Sequence, residues 1–278
     1  MAYDSARIKL PDRLSRFDIA EQWRKFNPVY VGLASSNMRN MLNGDAPIEN
    51  NAEHIRQFTG LAGRYCDSPN NSARCGYRFS RDSFDCGANH SIFMVVEAPG
   101  ATLNPSNHSW FSNGTSSGAN KPSNWSFSNR LTSLQMQWGH DNGPNAETVR
   151  YTEHAGLPNI KNKEPSTVSA QVNGTDLHLG LDGESATQTL TYTPATNSEG
   201  EVATWYNAGG SNVSSDIRIY MIVVFQEFIP NDVMDALHKS PQSLFAAPRI
   251  SRGIVAAAPA VTNLYDEYYK RLLAGGMI

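Results

Sequence analysis

Large aromatic residues set among amides and hydroxyls are the part of this sequence best equipped to do chemistry. Trp110, Trp125, Trp138, Trp205 and Tyr206 lie in stretches of Asn, Ser and Gly. A ring face for stacking, beside groups that pair with hydroxyls, is what saccharide recognition requires. Trp110, Trp125, Trp205 and Tyr206 are therefore the candidate glycan-binding residues. The competing role for the same rings is to pin long loops onto a core, because alternation puts several of them on core faces of strands.

Catalytic chemistry is poorly supplied. Glycoside hydrolysis needs two carboxylates flanking the bond. Glu199 and Glu201 sit in a Gly-containing turn, Asp182 and Glu184 flank Gly183, and Glu97 stands alone at a strand end. Asp82 and Asp85 have the wrong parity to share a strand face. No G-x-S-x-G, HExxH or GxxxxGK[ST] occurs, so the common nucleophile, zinc and phosphate signatures are missing. His140 beside Asp141, and His178 near Asp176, are adjacencies in sequence and not the geometry of a triad. His178 alternates with Leu177, Leu179 and Leu181, which predicts an exposed or interfacial position opposite the leucines. Gly209-Gly210 has no following helix to make a phosphate cradle. Asp176 and Asp182 offer calcium two carboxylates but no EF-hand spacing. Cys66, Cys75 and Cys86 are odd in number and lack zinc-ligand spacing, which predicts plain reduced thiols. The sequence thus predicts a non-enzymatic protein with no metal and no cofactor.

The 278 residues are 40% hydrophobic and 18% charged, with a formal net charge of −3 and a mean hydropathy of −0.45. That is enough apolar material for a core. The near-neutral balance does not suit a binder of nucleic-acid phosphates, and no apolar run approaches the ~18 residues of a membrane span. MAYDSARIKL at the start has no apolar h-region, which predicts synthesis in the cytoplasm without a signal peptide. Asn-x-Ser/Thr triplets at Asn107, Asn113, Asn124, Asn173 and Asn212 are read as chance matches in an Asn/Ser-rich chain.

The elements that must position these residues are strands. SIFMVVEAP (91–99) is a short apolar run typical of a buried strand. WSFSNRL (125–131), SLQMQWGH (133–140) and TQTLTYTP (187–194) alternate. VSAQVNGTDLHLGLDG (168–183) reads as a hairpin turning at Asn173-Gly174. DIRIYMIVVFQEF (216–228) is the longest strand signal, with Ile217, Ile219, Met221 and Val223 on one face and Ile222, Val224 and Phe225 toward the other. A short helix follows, with Asn231 as its expected N-cap and Asp232 in its first turn. Residues 1–35, broken by Pro11 and Pro28, read as an extended basic arm with a helical turn or two near Asp18–Lys25. Residues 36–245 are the expected sandwich. Residues 246–278 read as an Ala/Pro-rich linker and a short helix bearing Leu264, Tyr265, Tyr268, Leu272 and Leu273. The fold class predicted is an all-β sandwich.

Three stretches carry a resemblance to a known family. They are KLPDRLSRFD…NPVYVGLA (9–34), the two strands SIFMVVEAP and DIRIYMIVVFQEF, and the helix with its exit IPNDVMDALHKSPQSLFAAPR (229–249). Together they resemble the concanavalin A-like lectin/laminin-G-type structural proteins of tailed phages and prophages. Gln242 stands where that family commonly has Trp. The resemblance implies a jelly-roll sandwich of two antiparallel sheets. It also implies a virion component, as a capsid decoration, head fibre or tail-associated protein, with capsid or tail proteins as partners. A homo-oligomer, with a trimer favoured, is the expected assembly. Arg13, Arg16 and Phe17 in the N-terminal arm, and Tyr265, Tyr268 and Leu272 in the tail helix, are the expected attachment residues. Host surface glycans are the expected ligand of the alternative, receptor-recognition role. A polysaccharide hydrolase is the third reading.

Overall fold

Strand alternation governs the structure, and every described strand pair is antiparallel. The computed structural model describes residues 8, 10, 19–50, 56–67, 76–79, 89–97, 108–113, 125–130, 133–138, 152–153, 164–189, 202–204 and 217–245. A four-residue helix, α1 (Glu21–Arg24), precedes β1 (Pro28–Leu33), β2 (Ile48–Asn50), β3 (Arg56–Gly60), β4 (Gly63–Asp67) and β5 (Gly76–Phe79). The long β6 (Asn89–Glu97) leads to β7 (His108–Asn113), β8 (Trp125–Arg130), β9 (Ser133–Trp138) and β10 (Thr152–Glu153). Then come β11 (Pro165–Asn173), β12 (Asp176–Leu181), β13 (Glu184–Thr189), β14 (Val202–Thr204), β15 (Arg218–Phe225) and the helix α2 (Asn231–Lys239). The chain divides into two units, Met1–Ala246 and Ala247–Ile278. The second lies outside the described residues, and with it the expected tail helix and Tyr265, Tyr268 and Leu272.

Two sheets form the sandwich. One has eight strands in the order β13-β12-β11-β6-β15-β4-β3, with β1 also paired to β15. The other has seven, β10-β9-β8-β7-β14-β5-β2. The shared core joins Ile92, Met94 and Val96 of β6, Val168, Ala170 and Val172 of β11, and Ile222 and Val224 of β15 to Tyr77 and Phe79 of β5. Tyr30 of β1 meets Phe79 edge-on at 5.0 Å between ring centres. Cys66 Sγ lies 3.5 Å from the Tyr77 hydroxyl, so one cysteine is buried between the sheets. Cys75 and Cys86 lie outside the described residues.

A second core covers the other face of the eight-stranded sheet. It packs Phe93 and Val95 of β6 and Met221, Val223 and Phe225 of β15 against Ile8, Leu10, Ile19 and Trp23, and against Met234, Leu237 and Leu244. The described residues of the segment read as an arm, 1–35, lie against this domain. Val29, Tyr30, Val31 and Leu33 form β1, whose register runs from Pro28 opposite Phe225 to Leu33 opposite Met221. Pro28, read as a helix breaker, takes the first position of a strand, where the missing N–H does least harm. Residues 19–26 are tied to the far end of the domain: Ile19 bridges Phe245, Ala20 N donates to Leu244 O at 2.9 Å, and Trp23 Nε1 donates to Ser243 O at 2.8 Å. Burial of the Trp23 ring is what makes this segment a layer of the domain and not a free arm. Arg13, Arg16 and Phe17 lie outside the described residues.

A β-bulge corrects the expected faces of the last strand. Ile219 pairs with Val96 and Met221 with Val95, which leaves Tyr220 as the extra residue. Parity therefore flips. Ile217 and Ile219 join Ile222 and Val224 in the shared core, while Tyr220, Met221, Val223 and Phe225 belong to the outer one. A bulge puts two consecutive residues on one side of the partner strand, as Tyr220 and Met221 show.

Turn chemistry sets the β11–β12–β13 meander. Asn173 pairs with Asp176, so Gly174-Thr175, one residue later than expected, occupies the turn centre. Gly174 has φ +61 and Thr175 is not among the positive-φ residues, the pattern of a type II′ hairpin with glycine first. Asp182 and Gly183, at φ +52 and +87, join β12 to β13, as type I′ turns require. The strand expected at 187–194 accordingly starts earlier, at Glu184. Asn231 is not the N-cap of α2: Pro230 takes that position, and the Asn231 amide is 3.3 Å from His178 Nδ1.

Candidate functional site

The eight-stranded sheet has both faces committed to packing. In β11, Val168, Ala170 and Val172 enter the shared core, while Thr167, Ser169 and Gln171 meet the outer layer. His238 of α2 lies between two of them, with Nε2 2.9 Å from Ser169 Oγ and Nδ1 2.7 Å from Thr167 Oγ1. Asp182 Oδ1 accepts from the Thr167 backbone N–H at 2.8 Å. The constellation of Ser169, His238, Thr167 and Asp182 has the residue types of a nucleophile relay, but His238 is 1% exposed and Ser169 1%. Burial holds the imidazole neutral, with its pKa lowered to about 3. Its chemistry is that of a polar bolt between helix and sheet, with no substrate able to reach it.

The other ionisable groups of this sheet are also structural. Glu97, read from the sequence as a lone acid, takes the Arg218 guanidinium and the Tyr220 hydroxyl and is 3% exposed. Burial opposes the charge of Arg218, but Glu97 outweighs it and the guanidinium pKa ends above its ordinary value. Arg218 also lies over the Tyr65 ring at 4.7 Å. His178, expected at a surface or interface, is 9% exposed, with Nδ1 2.8 Å from Thr187 Oγ1 and its ring 5.0 Å from Phe228. The segment leading into α2 covers it. Burial lowers its pKa, with Asp176 acting the other way. Asp176 accepts from Thr189 Oγ1 at 2.7 Å, so neither aspartate of the calcium reading is set out as a loop ligand. Among the described residues no group of three or more His, Cys, Asp or Glu side chains could hold a metal ion. No helix among them is long and apolar enough to cross a membrane.

The seven-stranded sheet is described by its register. Register carries two kinds of row across it. One row runs Phe79–Val202–Asn113–Trp125–Trp138, and the next on the same side holds Thr204–Phe111–Phe127–Met136. Phe79 is 5% exposed and belongs to the shared core, and residues directly opposite in a ladder share a face. The alternate rows lie on the opposite face. They run Arg78–Ala203–Ser112–Ser126–Gln137 and Ser109–Ser128–Gln135–Glu153. Over its four middle strands, β9, β8, β7 and β14, these two rows are serine, glutamine and alanine.

The sequence-derived glycan residues are thereby placed in part. Trp125 stands in the Phe79 row, directly opposite Trp138. Trp110 is the extra residue of a β-bulge in β7, between Ser109 and Phe111. Trp205 and Tyr206 lie outside the described residues. The backbone thus brings Trp110 and Trp125 onto adjacent strands of one sheet. The serine/glutamine rows were the feature that sequence reasoning passed over. Their signal was legible in the alternation W-S-F-S and L-Q-M-Q-W of β8 and β9.

No protein-family model matches the chain, and no curated protein matches it. Solved structures do. The binding domain of Paraclostridial Mosquitocidal Protein 1 superposes with a TM-score of 0.57 at 12% identity, over 78% of this chain and 53% of that one. Domain 4 of AbnA, a GH43 extracellular arabinanase from Geobacillus stearothermophilus in complex with arabinotriose, gives 0.56 at 11% identity, over 76% and 98%. The botulinum neurotoxin serotype G binding domain gives 0.53 at 11% identity, over 76% and 50%. This chain shares their fold. It spans about half the length of the two toxin chains and nearly all of the arabinanase domain. At these identities the likeness establishes the β-sandwich and nothing finer.

Proposed function

We propose that this protein is a non-catalytic carbohydrate-binding β-sandwich, and that the seven-stranded sheet carries the ligand. The observation that carries the reading is the asymmetry between the sheets. Among the described residues the eight-stranded sheet is packed on both faces, whereas in the other the register sets rows of serine and glutamine in alternation with the row of Phe79. Hydroxyls and amides pair with sugar hydroxyls without bringing charge. The fold shared with toxin binding domains and with an arabinanase domain seen in complex with arabinotriose supports the same assignment. The test is a broad glycan array probed with the folded protein, run beside an assay for newly released reducing ends. Retention on a defined set of glycans with no cleavage is the expected result. Cleavage, or no retention at all, would overturn it.

The setting proposed is the virion of a tailed phage, as a decoration or tail-associated component, possessing trimeric symmetry. It rests on the resemblance of residues 9–34, of the two core strands and of residues 229–249 to such proteins. Many copies on one particle would turn weak single-site affinity into firm attachment. Light scattering on the full chain tests the assembly: three times the 30.5 kDa chain mass is expected, and a monomer at all concentrations contradicts it.

A further inference from the structure

We infer that residues 227–239, which carry α2, form an acid-opened lid over β11 and β12, and that His238 is the group that senses the acid. This lid is independent of the glycan reading. What points to it is the way the segment is fastened. Thr167, Ser169 and Gln171 of β11, which meet it, are polar and buried. Thr167 Oγ1 and Ser169 Oγ hold the two nitrogens of His238, at 2.7 and 2.9 Å. Gln171 Nε2 donates to the Ile229 carbonyl. On β6, Ser91 Oγ accepts from the Ile229 N–H at 3.0 Å and donates to the Glu227 carbonyl at 2.9 Å. The Asn231 amide meets His178 of β12. Such bonds are exchanged for bonds to water when the segment lifts, so each adds only a modest net amount to closure. The buried apolar anchors are Ile229, Met234 and Leu237. Asn231 Oδ1 is buried with no partner, an acceptor that water satisfies on opening. Lifting this segment therefore costs less than opening the strands beneath it, where β6 and β15 bury Phe93, Val95, Met221, Val223 and Phe225.

A proton works against closure. His238 is 1% exposed, Phe93 meets its ring edge-on at 5.3 Å, and Gly180 of β12 lies close enough that a Cβ there would be 2.6 Å from Nε2. Among the described residues no carboxylate is hydrogen-bonded to it. Asp182, after β12, binds the Thr167 N–H and hydroxyl and so reaches the imidazole only through that residue. α2 itself carries Asp232, Asp235 and Lys239. β11 brings only neutral side chains to the contact, and Glu97 at the end of β6 is taken by Arg218 and Tyr220. A charged imidazole in the closed lid would thus be buried without a counter-charge, whereas in the open lid it is hydrated. The closed form holds the pKa down to about 3, against about 6.5 when free. Closure is accordingly favoured at neutral pH and lost as pH falls below 6.5. Between pH 6 and 4.5 the balance shifts about twentyfold toward the open form from His238 alone. His178, under the start of the segment beside Thr187 and Phe228, adds in the same direction: burial lowers its pKa, and Asp176 offsets this only in part.

Hydrogen exchange read by mass spectrometry on the full chain, from pH 7 to 4.5 and corrected for the intrinsic pH dependence of exchange, tests this. The α2 amides are expected to be at least tenfold less protected than those of β6 at every pH, since a lid opens without global unfolding. Their protection is expected to fall about twentyfold or more between pH 6 and 4.5. His238→Gln should remove most of that fall. Equal protection of α2 and β6 throughout would mean that the helix leaves only when the domain unfolds, and overturns the lid. Protection of α2 that does not change with pH overturns the acid opening. Both of these comparisons are made on the wild type and need no variant. The full fall retained in folded His238→Gln overturns the sensing role of His238.

Discussion

His238 shows how a residue with catalytic credentials is turned to structure. Its two nitrogens are held by Ser169 and Thr167, and burial puts its pKa near 3. In the unfolded chain the imidazole titrates at about 6.5. Between those values the unfolded state binds the proton and the folded state does not, so stability rises with pH across this window and is lost as pH falls through it. The contribution is about 1.4 kcal/mol per pH unit. His238→Gln keeps hydrogen-bonding capacity without the titration. Urea unfolding from pH 7 to 4 should therefore show the wild-type advantage shrinking steadily toward acid. Parallel stability curves for the two proteins would show that His238 is not buried neutral. At this scale the sequence said little. The alternation of His178 with leucines was visible, but Phe228 and Asn231, which cover it, are 50 and 53 positions away. Glu97 likewise looked solitary because Arg218 and Tyr220 lie over 120 residues on.

At the scale of elements, local pattern and local structure agree wherever partner strands do not intervene. The apolar run of β6, the alternation of β8 and β9, and the turn glycines of the β11–β12–β13 meander were all readable. The bulge at Tyr220 was not, because an extra residue is defined only against the register of β6. The same long-range pairing hid β1, whose partner β15 lies nearly two hundred residues away. The docking of α2 on β11 and β12 depends on a close approach that only glycine permits. A Cβ on Gly180 would sit 2.6 Å from His238 Nε2 and closer still to Ser169 Oγ. Gly180→Ala should therefore cost about 1–3 kcal/mol by overpacking. In a His238→Ala background the cost should fall by at least about 0.5 kcal/mol, since contacting residues couple. A denaturation cycle measures both. Additive effects would mean that helix and strand are not in contact at this point.

Among the described residues of the first unit there are three layers, where strand period predicted a sandwich of two sheets. The seven-stranded sheet, the eight-stranded sheet and an outer layer built from Ile8, Leu10, residues 19–26 and residues 229–245 share two cores. Among the described residues, both faces of the eight-stranded sheet are assigned to a core. The outer layer also changes the meaning of the N-terminal segment. Its Ile8, Leu10 and Trp23 are domain residues. The all-β class and the antiparallel sandwich were legible in strand period and turn signals. The third layer was not, since its hallmark is a set of contacts between the two ends of the domain, Ile19 to Phe245 and Trp23 to Ser243.

The central claim is that ligand binding resides on the serine/glutamine face of the seven-stranded sheet. The most direct measurement compares glycan-array retention of the wild type, Ser126→Lys and Ser185→Lys. Ser185 is an exposed residue on β13, at the edge of the other sheet. The account predicts that Ser126→Lys loses retention and Ser185→Lys keeps it, with both variants melting within about 3 °C of the wild type, as surface changes do. Retention by folded Ser126→Lys equal to the wild type, or loss in Ser185→Lys, would contradict it.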